Sequence, residues 1–166
     1  MSGQRPYITE EVNDFIGQIG QESDRGKVLV STGYIESRLL EVLLAFMIQS
    51  KVSVSLFSGP NSAFGTFSSR ITGCYALGLI SDDEYHDLQL IRRIRNDFAH
   101  SVRTSFKTPE VINRCNLLRS TTERVPQYPF MPGQKFESAV VAIIVRLVNR
   151  PFYVAQNRVS TKEWPL

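Results

Sequence analysis

Ser81-Asp82-Asp83-Glu84-Tyr85-His86-Asp87-Leu88-Gln89-Leu90-Ile91-Arg92-Arg93-Ile94-Arg95-Asn96-Asp97-Phe98-Ala99-His100 is the stretch whose reading decides the fold. Ser81 with Glu84 three residues on is a capping box: a hydroxyl N-cap and an acid that answers it. Tyr85, Leu88, Ile91, Ile94 and Phe98 then recur at helical spacing and mark one apolar face. The spacing predicts a helix from Asp82 to about His100. Its charges are sorted along the axis. Asp82, Asp83, Glu84 and Asp87 give −4 before Arg92. Arg92, Arg93, Arg95, Arg103 and Lys107 against Asp97 give +4 over residues 92–107. The whole chain carries only +3.

Helical signals continue on both sides. Thr9 reads as an N-cap ahead of Glu10 and Glu11, and Val12, Phe15, Ile16 and Ile19 form one apolar face. Asp24 reads as the cap of a second helix. Ile35, Leu39, Val42, Leu43, Phe46 and Met47 line it, and Leu40 and Leu44 widen the stripe, as expected of a central buried helix. Residues 51–58 alternate Val52, Val54 and Leu56 with polar residues. That is a strand pattern without a partner strand, so a frayed helix end or an extended connector is expected. Gly59-Pro60-Asn61-Ser62 signals a turn. A further helix is expected from about Gly65 to Leu77, with Phe67, Ile71, Cys74 and Tyr75 inward and Gly78 ending it. Thr108-Pro109-Glu110 opens another helix through Leu118. Pro126, Pro129 and Pro132 stiffen a loop over 120–133. The last helix is expected over 134–149 on Phe136, Val140, Ile143, Ile144 and Leu147, with Pro151 ending it.

The sum is an all-α, single-domain helical bundle of about six helices. One domain spans 1–166, with its core over 8–150 and a flexible tail over 152–166. The 42% hydrophobic share excludes a disordered chain. No run of ~18 apolar residues is present, so no membrane span is expected. The start lacks a signal-peptide core, and two cysteines make no disulfide scaffold, so a cytoplasmic location is expected. Two Cys and two His at scattered spacings predict no metal site, and no phosphate-loop motif or other cofactor signature is present.

Chemistry is best looked for at the basic end of the Asp82–His100 helix. His100 can move a proton near neutral pH. Arg95 can hold a phosphate and stabilise charge on it. Asn96 can orient both by hydrogen bonds. Arg92, Arg93, Arg103 and Lys107 are candidate contacts to phosphate or RNA. On an ideal helix Arg95 and His100 lie about 140° apart, whereas Arg93, Asn96 and His100 share about a 60° sector. A plainer reading stands beside this one. Acids first and arginines last complement the helix dipole, and Arg95 can anchor Glu36 or Glu41.

Arg95-Asn96, three residues and then His100, late in a helix of a small all-α protein, resembles the signature of the HEPN superfamily. That resemblance implies a homodimer whose motif helices meet in one cleft, acting as a metal-independent endoribonuclease in regulation or toxin–antitoxin defence. A second resemblance covers residues 30–150. Gly65 through Arg70, then Tyr75-Ala76-Leu77-Gly78-Leu79-Ile80 and Glu84-Tyr85, is similar to the MltR family, named for the mannitol operon repressor. It implies a small helical transcriptional regulator working through a regulatory protein partner, without a DNA-reading motif and without catalysis. The two resemblances thus lead to RNA in one case and a protein partner in the other.

Overall fold

The computed structural model describes residues 10–59, 62–121 and 130–165, apart from the side chain of Glu11. The expected cap Thr9, the turn residues Pro60 and Asn61, and the loop prolines Pro126 and Pro129 lie outside them. Seven helices and no strand are found among the described residues. They are α1 (Glu10–Ile19), α2 (Asp24–Phe46), α3 (Lys51–Ser55), α4 (Phe67–Ala76), α5 (Asp82–His100), α6 (Pro109–Asn116) and α7 (Pro132–Ala155). The all-α bundle expected from the sequence is therefore present, with α3 as the added helix.

α2 is the axis of the bundle. α7 packs along it most extensively, α4 and α5 flank it, and α1 folds back on it. Val28, Ile35, Leu39, Val42 and Leu43 of α2 are fully buried, as are Ile143 and Ile144 of α7. Each such side chain contributes roughly 1.5–3 kcal/mol by leaving water. α1 is held by buried Val12 and by Phe15, whose ring stacks on Tyr34 at 4.1 Å.

Local capping sets most of the boundaries. Ser23, not Asp24, caps α2: its hydroxyl accepts from the Gly26 N–H at 3.1 Å. Ser81 and Glu84 form the expected capping box on α5. The alternating segment at 51–55 is helical, because the Ser50 hydroxyl accepts from the Ser53 N–H and no neighbouring strand competes for its backbone. Tyr75, expected inward, is 41% exposed. It stacks on Tyr85 and donates its hydroxyl proton to Asp82.

α7 departs from expectation at its end. It runs through Pro151 to Ala155 instead of stopping near Asn149. Buried Val154 and the contacts of Arg150 hold this last turn on the core. Residues 152–155, expected in a flexible tail, are thus part of the helix. Beyond the helix, the Val159 N–H donates to Phe46 O at 2.9 Å, and Arg158 donates to Leu44 O and Met47 O. α7 is long and apolar enough to cross a membrane by length and composition. Its apolar stripe of Phe136, Ala139, Val140, Ile143, Ile144 and Leu147 is buried in the bundle instead.

Candidate functional site: the basic end of α5

Three elements meet where α5 ends. Phe98 of α5 packs on Phe106 of the following loop at 5.2 Å between ring centres, and Phe106 packs on Phe136 of α7 at 5.5 Å. This aromatic column anchors the loop that carries Arg103 and Lys107. From the other side, Arg25 at the start of α2 donates to Phe98 O and to Ser101 O. A guanidinium thus already answers the exposed carbonyls at the helix C-terminus, the task that dipole complementarity would assign to nearby cations.

The acids and bases of α5 have different fates. Glu84 is paired with Arg150 at 2.7 Å, Asp83 with Arg119 at 2.8 Å, and Asp87 with His86 at 3.1 Å. Asp87 also accepts the N–H groups of Arg119 and Ser120. Asp97, the one acid among the basic residues, is paired with Arg114 of α6. The cations are left over. Arg92 donates to the Gln89 amide oxygen at 3.2 and 3.0 Å. Arg95 donates to the Asn96 amide oxygen at 3.2 Å. Among the described residues none of Arg92, Arg93, Arg95, Arg103 and Lys107 has a carboxylate partner. Arg93, Arg103, Lys107 and His100 are exposed. The anchoring of Arg95 by Glu36 or Glu41 is not what forms: Glu36 faces Arg70 and Glu41 faces Arg38.

The expected trio of Arg95, Asn96 and His100 is brought together only in part. The Ser101 N–H donates to Asp97 O at 3.2 Å, so the regular α-turn persists through His100. Arg95 and His100 therefore remain about 140° apart around the helix and do not face one point within one protomer. Arg93, Asn96 and His100 share a face. That arrangement suits a phosphate or carboxylate laid along the helix better than a reacting phosphate gripped between arginine and histidine.

Sequence reasoning missed Arg25, the cap of α5, because a lone arginine in the first turn of another helix carries no signal of what it reaches. It also missed the second role of Glu84, which caps α5 and is a buried ion-pair partner at 3% exposure. The two thiols offer no alternative chemistry. Burial pushes both Cys74 and Cys115 up to about 12, so neither is a thiolate at neutral pH. Among the described residues no group of three or more His, Cys, Asp or Glu suits a metal ion.

The fold defines the class: a small, single-domain, all-α bundle. Among solved structures the chain is similar to one in the X-ray structure of the MtlR–HPr complex from Escherichia coli. The TM-score is 0.63 at 17% sequence identity, with 89% of this chain and 99% of that chain covered. No family model matches the chain, and no curated protein matches it.

Proposed function

We propose that this protein is a regulator of the MtlR kind that acts by binding a protein partner, and that the basic end of α5 is the surface that receives the partner's acidic face. The observation that carries the reading is the uneven pairing along α5. Asp83, Glu84, Asp87 and Asp97 are each taken up by a partner in the fold, while among the described residues none of Arg92, Arg93, Arg95, Arg103 and Lys107 has a carboxylate partner, and Arg93, Arg103 and Lys107 are exposed on an anchored scaffold. Arginine-rich rims of this kind steer an acidic partner and fix its register. The fold shared with a protein solved in complex with HPr supports a protein as the partner and makes HPr the first one to test.

Isothermal titration of the protein with HPr at about 0.1 mM, where even a weak regulatory contact registers, tests this directly. The expected result is a complex that weakens as salt rises. Arg93→Glu with Arg103→Glu is expected to weaken it about tenfold, since each is an exposed rim charge. No heat at any salt overturns HPr as the partner, and unchanged affinity in the double variant overturns the basic end as the surface. Cleavage of a mixed RNA pool in EDTA, lost in His100→Ala, establishes the HEPN-type nuclease instead.

A further inference from the structure

A second surface lies at the far end of α2, about 30 Å along the helix from Arg25. There the end of α2, the short helix α3 and Arg158 from the C-terminal segment enclose an open groove of about 710 Å3. Leu44, Ala45, Ile48 and Val54 supply its apolar wall. α3 buries none of its residues, and Val52 and Val54 are 72% and 57% exposed. Valine is a poor helix former, and exposed valine gains nothing from folding. Serine caps hold the helix together, with Ser53 donating to Ile48 O at 2.6 Å. Among the described residues nothing buries this apolar edge, and exposed apolar surface of this kind marks an interaction site.

The charges at the groove indicate what covers it. Glu41 is already paired with Arg38 at 2.8 Å. Lys51 is exposed and, like Arg158, has no carboxylate partner among the described residues. One nitrogen of Arg158 serves the carbonyls of Leu44 and Met47, so the guanidinium is held in place at the rim. We infer that this groove docks an amphipathic helix of a partner protein, with an aliphatic side chain on the Leu44–Ile48–Val54 wall and a flanking carboxylate against Lys51 and Arg158. Helix-in-groove recognition uses this combination of apolar anchors and flanking charge. A small apolar acid has the same chemistry, but it leaves Val52 and the outer edge of α3 in water. A helix covers both. The inference stands on residues separate from the basic end of α5.

Backbone amide NMR of the full chain, titrated with a synthetic leucine–alanine helix flanked by glutamates, tests it. The expected shifts map to residues 44–54 and to Arg158. Val54→Asp, at an exposed position that leaves the core untouched, is expected to weaken binding at least about tenfold. Lys51→Glu is expected to turn the preference to a lysine-flanked version of the same helix. The Arg93→Glu, Arg103→Glu protein is expected to bind the peptide unchanged, which separates this surface from the one proposed above. Shifts confined to other residues, equal response to the two peptides, or loss of binding in that double variant overturn the inference. So does sodium decanoate occupying the same residues and displacing the helix, because the groove is then a small-acid site.

Discussion

Glu84 shows how much one residue can carry here. Its side chain accepts the Ser81 N–H at 2.8 Å to close the capping box, while Arg150 reaches it with two nitrogens and also donates to Leu79 O at 2.6 Å. The acid is 3% exposed, so its charge depends on that guanidinium. Removing one partner of a buried pair strands the other. Arg150→Met is expected to cost about 3–5 kcal/mol, read as a lower midpoint in urea unfolding. Adding Glu84→Gln to that variant is expected to recover part of the loss, because no unpaired charge is then buried at this position. By contrast, exposed arginines such as Arg93 are expected to leave the midpoint within about 0.5 kcal/mol while changing partner affinity. That contrast separates residues held for the fold from residues available for binding. No sequence signal makes it, since Arg93 and Arg150 are both arginines on helices.

At the scale of elements, much of the local chemistry was legible. The Ser81 capping box, the Thr108–Pro109 start and the apolar faces of α2 and α5 appear where the spacing places them. Gly78 sits at φ +69° just past α4, where the Leu79 N–H donates back to Cys74 O at 2.8 Å. A side chain there meets the left-handed penalty even though the space is open. Gly78→Ala is expected to destabilise the protein by about 1–2 kcal/mol, measured by thermal or urea unfolding. Two elements resisted reading. Period-two alternation at Val52 and Val54 looks like a strand, but a strand needs a neighbour, and a serine cap with five helical residues needs none. Pro151 looks like a stop, but tertiary contacts of Arg150 and Val154 on either side keep the last turn of α7 in place.

Across the whole molecule, the two thiols link burial to pH dependence. Cys74 and Cys115 are fully buried, and desolvation raises both to about 12 from 9.0. Between these values the unfolded chain releases protons that the folded chain retains, so stability falls as pH rises from about 9 towards 12. Unfolding midpoints across that range are expected to drop. The drop is expected to be shallower in Cys74→Ala with Cys115→Ala, and native protein is expected to resist thiol reagents at pH 7.

The amino-acid order by itself determined the helical class, the central place of α2 and the charge polarity of α5. Apolar periodicity and capping residues act within a few positions of themselves, and charges can be counted in place. The tertiary structure alone decided which charges are spent and which are available. Asp97 finds Arg114 of α6, Glu84 finds Arg150 of α7, and Arg25 of α2 takes the end of α5. It also decided that α2, α3 and Arg158 leave a groove between them. These outcomes depend on contacts between positions up to 114 residues apart, and pairing across such spans follows from packing rather than from local pattern.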